Sequence, residues 1–152
     1  MIRATIRKVL RPVREQLLSE PLATLSEEPG FAPTLALISS CGLHLKSDPP
    51  FDLGKRGDPS FRSFPSSVSP SDLQISHGHY DEAGVQEDWQ IAFPVDAVDE
   101  CLRQGRVKAL HPTLYSFRGF FLDSASFLQE HVSEVVVDLQ RGAVDAALFT
   151  PC

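Results

Sequence analysis

The sequence has few cysteines and no long apolar run, and these absences exclude several classes of protein. Three scattered cysteines in 152 residues do not make the disulfide framework of a small secreted domain. No apolar run approaches the roughly 20 residues that are needed to cross a bilayer. The basic N-terminus is not followed by the continuous apolar segment of a secretory signal. We therefore expect a cytoplasmic protein with no membrane partner.

The chain also lacks an excess of positive charge and a dinucleotide-binding fingerprint. Its net charge of −6 argues against a general nucleic-acid binder. No GxGxxG pattern follows any predicted strand, so we predict no dinucleotide site. The length and the 42% apolar content fit one globular domain over residues 1–152.

Proline and phenylalanine are abundant instead, at 12 and 10 residues. Many of the prolines fall between Pro49 and Pro70, and residues 43–71 show no helical period. Phenylalanines at 51, 61 and 64 can anchor this stretch, so we predict an ordered Pro-rich loop that covers a site. Alternation over Phe61–Phe64 predicts a short strand within it.

The first 20 residues predict an amphipathic helix. Apolar residues recur at three- and four-residue spacing from Ile2 to Leu18, and five basic side chains fill the other face. Two interpretations stay open. The basic face can be the solvated side of a docked helix, or it can form an arm that meets a partner or substrate.

Short apolar runs and periodic segments predict an α/β fold. Residues 34–39 form an almost wholly apolar run, which is typical of a central parallel strand buried on both faces. Residues 107–110 and 144–150 predict further strands, and residues 95–104 and 124–140 predict helices. The pattern favours an open, mainly parallel sheet flanked by helices, with Rossmann-like or flavodoxin-like three-layer architecture and a long ordered loop.

Polar residues follow several of the predicted strands, where the ligand sites of open α/β sheets lie. If the strands are parallel neighbours, these residues converge at one edge. We predict catalytic roles for Cys152 as a nucleophile and for His79 and His111 as acids or bases. The predicted substrate-binding residues are Cys41, His44, His77, Tyr80, Tyr115 and Ser116.

The His77-Gly78-His79 segment also allows a metal. Two histidines two positions apart on an extended chain face the same side and can bind zinc or iron, although no third ligand has diagnostic spacing. Hydrogen-bonded histidines that orient loops or substrate are the alternative. Cys101 lies on the apolar side of a predicted helix and is assigned to the core, while Cys41 is either a core residue or a site thiol.

The chain resembles the selenoprotein B family of glycine, sarcosine, betaine and D-proline reductases, and most closely its short, selenium-free relatives. The resemblance runs from about Leu35 to the end. The segments that carry it are Leu37–Lys46, Asp48–Asp52, Gly57–Arg62, Asp72–Asp81, Phe93–Asp96, Tyr115–Gly119 and Gly142–Ala146.

The resemblance implies reductive chemistry by a selenolate or thiolate. In the larger reductases, a selenocysteine attacks the substrate or an adduct of it, and a nearby thiol resolves the intermediate. In these relatives, the loop that contains the reactive selenocysteine or cysteine follows the strand that matches Val144–Thr150. Either Cys152 is the first residue of this motif, or the motif proper is absent.

Three functional hypotheses follow. The first is a reductase-like enzyme or subunit that acts on a small amino-acid-like substrate through the Cys152 thiolate, alone or with a partner redox subunit or in a homo-oligomer. The second is a metal-dependent biosynthetic enzyme that uses the His77 and His79 pocket. The third is a noncatalytic partner subunit of a larger complex.

Overall fold

The computed structural model describes residues 30–78, 80–122, 125 and 127–151. The predicted N-terminal helix, His79, Cys152 and the predicted helix start at Ser124 lie outside the described residues. Among the helices that the structure describes, none has both the length and the apolarity that a bilayer crossing requires.

The principal sheet is built around strand β1, Thr34–Ser39. Three strands run parallel to it: β5 (Ala109–Leu110), β6 (Thr113–Ser116) and β7 (Ala146–Thr150). On one side, β5 pairs with the first half of β1 and β6 with the second half, whereas β7 pairs with β1 on the other side from Leu35 to Ser39. The predicted central parallel strand is confirmed, because Ala36 and Leu37 are buried.

An antiparallel strand makes this sheet mixed. Strand β3 (Arg62–Pro65) pairs with β6 in antiparallel orientation, and it matches the strand predicted from the Phe61–Phe64 alternation. The α/β class is therefore confirmed. The flavodoxin-like three-layer arrangement stays a prediction.

A second, two-stranded sheet forms partly inside the stretch that the sequence predicts as loop. Strand β2 (Leu43–Leu45) pairs antiparallel with β4 (Leu73–Ile75). The alternating Leu73 and Ile75 predict a strand at the position of β4, whereas β2 was expected to be loop because residues 43–71 show no regular period. The Pro-rich segment therefore leaves one strand and returns to another, so both of its ends are fixed.

One of the helices was not predicted from the sequence: residues 81–88 were expected to form a turn, but they contain a short helix. Helix α1 spans Ala83–Glu87, and α2 spans Val95–Arg103 with Val98 buried. Near the C-terminus, a π-helical segment at Phe127–Val132 leads into α3, Ser133–Arg141. The sequence predicts one regular helix here, and the π turn is not visible in its periodicity.

The main apolar core joins both sheets to the short helices. It comprises Leu37, Cys41, Leu43, Phe64, Leu73, Val85, Ala92, Phe93, Val98 and Leu114. The ring centroids of Phe64 and Phe93 lie 5.5 Å apart in an edge-on arrangement. This packing holds the carboxyl ends of β1 and β6 against the end of β4.

Candidate active site

Three loops meet at the carboxyl edge of the principal sheet, and we call them the edge loops. They are residues 40–42 after β1, residues 76–78 with Tyr80 after β4, and residues 117–119 after β6. Backbone hydrogen bonds join them, from Gly42 N to Phe117 O at 2.8 Å and from Ser76 N to Gly42 O at 2.9 Å. The edge loops therefore form one connected unit.

Two glycines allow this close approach. Gly42 has φ +69°, and a Cβ there would lie 2.8 Å from Ser76 O. Gly119 has φ +78°, and a Cβ there would lie 3.1 Å from Ser40 O and 3.4 Å from His77 Nε2. A positive φ and the lack of space both favour glycine at these positions. The His77 ring therefore contacts the backbone of the 117–119 loop.

His77 is held in place from two sides. The backbone N–H groups of His77 and Gly78 both donate to Glu82 Oε1, at 3.1 and 2.9 Å. His77 is buried, and the His77 ring packs edge-on against the Tyr80 ring with the ring centroids 4.6 Å apart. The Glu82 carboxylate thus fixes the turn that carries the imidazole.

Tyr80 links the second edge loop to the first. Its hydroxyl donates to Cys41 O at 3.0 Å. Burial and the negative charge of Glu82 raise the pKa of Tyr80 to about 12. The phenol is therefore protonated at neutral pH and serves as a hydrogen-bond donor.

Arg118 is the site residue that the sequence reasoning missed. Its side chain is 1% exposed, and its Nε donates to His77 O at 3.2 Å. Its guanidinium carbon lies 5.8 Å from the centroid of the Phe120 ring. Arginine is rarely buried in this way unless it has partners. The available sequence signal was an arginine directly before the glycine of a strand-end loop. Arg118 places a fixed positive charge among the edge loops.

The end of β7 is tied to the same edge. Ser39 pairs with Thr150 in the strand register, and Ser40 N donates to Thr150 O at 3.1 Å. The Ser39 hydroxyl donates to Thr150 O at 3.3 Å and accepts from Cys41 N at 3.2 Å. The carboxyl end of β7 therefore lies beside the first edge loop.

His44 and Ser116 lie beneath the edge loops and are fully buried. His44 Nε2 is 2.9 Å from Ser76 Oγ, and its Nδ1 is 2.8 Å from Leu45 O. The Ser116 hydroxyl makes no hydrogen bond within the described part of the chain. His44 thus supports the loop that carries His77, whereas Ser116 ends the strand that carries Arg118.

His111 and the Tyr115 hydroxyl lie elsewhere, in a group that we call the Asp138 cluster. Tyr115 donates its hydroxyl to Asp138 Oδ2, and His111 Nε2 lies 3.6 Å from the same oxygen. Burial and this carboxylate raise the pKa of Tyr115. His111 N donates to Leu35 O at 2.7 Å, near the start of β1. The predicted convergence does not include His111, because β5 ends four residues short of the carboxyl end of β1.

The Pro-rich loop is anchored to the third edge loop. Gly57 bridges to Phe121, and Leu122 N donates to Arg56 O at 2.8 Å. Leu53 contacts the second edge loop, since its Cδ1 lies 3.8 Å from the position of a Cβ on Gly78. These contacts place the loop beside the candidate site. Its role as a cover stays a prediction.

Asp58 holds the turn of this loop. Burial alone would raise the pKa of the Asp58 carboxyl. Hydrogen bonds from Ser60 and from the Asp52 backbone, together with the charge of Arg62, have the larger combined effect and lower this pKa below 3.8. The Asp52 N–H bonds to Oδ2 at 2.9 Å, and the Ser60 N–H bonds to Oδ1 at 2.9 Å.

A lowered folded-state pKa gives a defined pH dependence. The contribution of Asp58 to stability is complete above its unfolded-state pKa of about 4 and is lost as the pH falls through the lower folded-state pKa. We expect Asp58→Asn to flatten the acid limb of the stability profile, measured by urea unfolding from pH 6 to pH 2.5. The exposed Asp99→Asn is the control and should leave the limb unchanged. Equal flattening in both variants would contradict this account.

The described residues contain no group of three or more His, Cys, Asp and Glu side chains that could hold a metal ion. His77 is described, but His79 is outside the described residues. Zinc or iron binding at this pair therefore stays a prediction.

Comparisons of the sequence with known proteins identify the family of this chain. Residues 60–152 match the model of the glycine/sarcosine/betaine reductase selenoprotein B family. The chain is 38% identical over 117 residues, or 77% of its length, to D-proline reductase subunit gamma of Acetoanaerobium sticklandii. It spans 48% of that relative. No solved structure shows a significant match. The chain belongs to the glycine/sarcosine/betaine reductase selenoprotein B family.

Proposed function

We propose that this protein is a subunit of a reductase that acts on a small amino-acid-like substrate through thiolate chemistry. The Cys152 thiolate is the proposed nucleophile. The observation that carries the proposal is the parallel register of β1 and β7, in which Ser39 pairs with Thr150. Cys152 follows Thr150 by two residues in the sequence, so this register supports a position for Cys152 near the edge loops. A relative named as a D-proline reductase subunit supports the reaction class.

The edge loops supply the groups that such a reaction needs. The buried Arg118 charge favours a thiolate and a substrate carboxylate over their protonated forms. Protonated Tyr80 donates hydrogen bonds, and His77 and His79 position the substrate or transfer a proton. Cys41 lies in the first edge loop, His44 bonds to Ser76 of the second, and Ser116 ends the strand before the third; we propose that all three contribute to substrate binding. His111 and Tyr115 remain proposed contributors, through the Asp138 cluster.

A dithiol-driven reduction assay tests this function. The full chain, alone and with the other subunits of its reductase, is given dithiothreitol as electron donor and D-proline as the first substrate. Cys152→Ser should lower kcat/KM at least ~10³-fold, because removal of a nucleophile costs at least that much in well-studied enzymes. Cys101→Ser is the matched control, since Cys101 is a free cysteine outside the edge loops. Full activity in Cys152→Ser would refute the proposal.

A partner redox subunit is the second part of the proposal, and strand β7 favours it. Among the described residues, β7 pairs with β1 alone, so its outer edge is open. Leu148 is 40% exposed and Phe149 is 65% exposed, and neighbouring strand residues point to opposite faces. An edge strand with apolar side chains on both faces is a surface for another polypeptide. The relative is itself one subunit of a reductase, so we propose a partner subunit there.

Light scattering of the chain mixed with its partner subunits tests this surface. Phe149→Lys should abolish the complex, because it puts a charge in the middle of the contact. Leu122→Lys is the control, since Leu122 is 61% exposed and its backbone N–H bonds to Arg56 O in the Pro-rich loop. A complex that survives Phe149→Lys would contradict the assignment, and so would a dimer of this chain alone that uses the same edge.

A further inference from the structure

Cys41 is the cysteine of the first edge loop, and its thiol is not free. It is fully buried and disulfide-bonded, whereas Cys101 is a free cysteine on helix α2. The sequence contains one other cysteine, Cys152. Cys152 is therefore the candidate partner of Cys41 in this chain.

The strand register indicates which cysteine is bonded to Cys41. Cys41 is two residues after Ser39, and Cys152 is two residues after Thr150, the residue with which Ser39 pairs. Neighbouring strands lie about 4.8 Å apart. A disulfide needs a Cα separation of about 4.4–6.8 Å. The two cysteines therefore follow one paired position of β1 and β7 by the same number of residues along the sequence, although Cys152 itself is outside the described residues.

We propose that Cys41 and Cys152 form a reversible disulfide that is the redox pair of this subunit, with Cys41 as the resolving thiol. This inference rests on the proposed function, in which Cys152 is the nucleophile. It goes further, because it assigns the second thiol to the same chain and to the end of β1.

The surroundings favour a redox pair over a structural staple. β1 and β7 are already joined along five paired positions, so a bond beyond their ends adds little to their alignment. Cys41 lies instead at the carboxyl edge, where open α/β sheets bind their ligands. The Ser39 hydroxyl binds the Cys41 N–H, and the Tyr80 hydroxyl binds the Cys41 carbonyl. The backbone around the resolving thiol is thus fixed in both redox states.

The chemistry balances without any further group on this chain. The Cys152 thiolate attacks the substrate carbon, the bond from that carbon to its leaving group breaks, and a thioether forms. The Cys41 thiolate then attacks the Cys152 sulfur, forming the disulfide, and the carbon takes up a proton. The substrate gains two electrons, and the dithiol loses two. An external dithiol such as dithiothreitol returns the disulfide to two thiols by exchange.

Peptide mapping by mass spectrometry tests the pairing. Under native conditions, the oxidised chain should yield a Cys41–Cys152 cross-linked peptide with Cys101 alkylated, and dithiothreitol should release both thiols without denaturant. Another pairing, or a bond that opens only after unfolding, would overturn the inference.

Stoichiometry in the absence of dithiothreitol separates this inference from the proposed function. The reduced complex should convert one substrate per chain and form one disulfide. Cys41→Ser should stop at a substrate adduct on Cys152, because the thioether intermediate needs a second thiol. In a separate assay with dithiothreitol, the same variant should lose at least about tenfold in steady-state turnover. Cys101→Ser should match the wild type. Full turnover in Cys41→Ser overturns the resolving role and leaves Cys152 chemistry intact. If the disulfide is reversible but substrate never oxidises the dithiol to form it, the proposed function is overturned instead.

Discussion

Gly57→Ala is expected to lower the free energy of unfolding by roughly 3 kcal/mol or more, the range of severe single substitutions. Gly57 has φ +72°, and a Cβ there would lie 2.2 Å from Phe120 O and 2.6 Å from Phe121 Cα. Both atoms belong to the backbone, so a side-chain rotation cannot relieve the contact. The Pro-rich loop would have to leave the third edge loop, and we therefore expect substrate binding to weaken as well. Urea unfolding followed by circular dichroism measures the loss.

Gly105→Ala provides the control for backbone strain. Gly105 has φ +69°, close to that of Gly57, but a Cβ there meets nothing within 4 Å. It should cost only the left-handed penalty of about 1–2 kcal/mol. The difference between the two variants isolates the contact with Phe120 and Phe121. Equal losses would show that the Pro-rich loop does not depend on this contact.

Arg118→Met is expected to have the second large effect, a loss of about 2–4 kcal/mol in stability together with weaker substrate binding. Methionine fills much of the same volume but leaves the His77 carbonyl without its donor at 3.2 Å. It also removes the positive charge from the edge loops, so KM for a substrate with a carboxylate should rise. Arg118→Lys keeps the charge but not the forked geometry, and should recover part of the KM effect.

The control for Arg118 is Arg106→Met. Arg106 is exposed in the turn after helix α2, so its removal should change stability by less than about 0.5 kcal/mol. Unfolding curves and substrate titrations at a temperature where all variants are folded separate the two effects. An unchanged KM in Arg118→Met would show that the buried charge is structural and does not bind substrate.

The sequence was sufficient for the elements with strong local patterns. β1 was predicted from its apolar run, α2 from its helical period, and β3 from alternation. β6 was missed because His111 and Pro112 separate it from β5, which pairs with the same side of β1. Both strands are too short to show a recognisable period. The π turn before α3 was missed for a related reason, since an added residue in one turn barely changes the spacing of apolar side chains.

The candidate site was only partly predictable. The polar residues after β1 and β4 were found, because strand ends with glycine are a local signal. The distance between His111 and the edge loops depends on where β5 ends. Strand β5 pairs only with Thr34 and Leu35 of β1, and this tertiary pairing is not encoded in the local sequence. Arg118 was overlooked because its importance comes from burial between loops that are distant in the chain.

The most direct test of the account is the rate at which iodoacetamide modifies each cysteine of the reduced protein, with and without substrate. In our proposal, Cys152 and Cys41 lie at one substrate-binding edge, whereas Cys101 lies on helix α2. Cys152 should react fastest at neutral pH, because a positive charge favours its thiolate. D-proline, as the first ligand, should protect Cys152 and leave Cys101 unchanged. Slow, unprotected modification of Cys152, or equal protection of Cys101, would contradict a thiolate site at the carboxyl edge of this sheet.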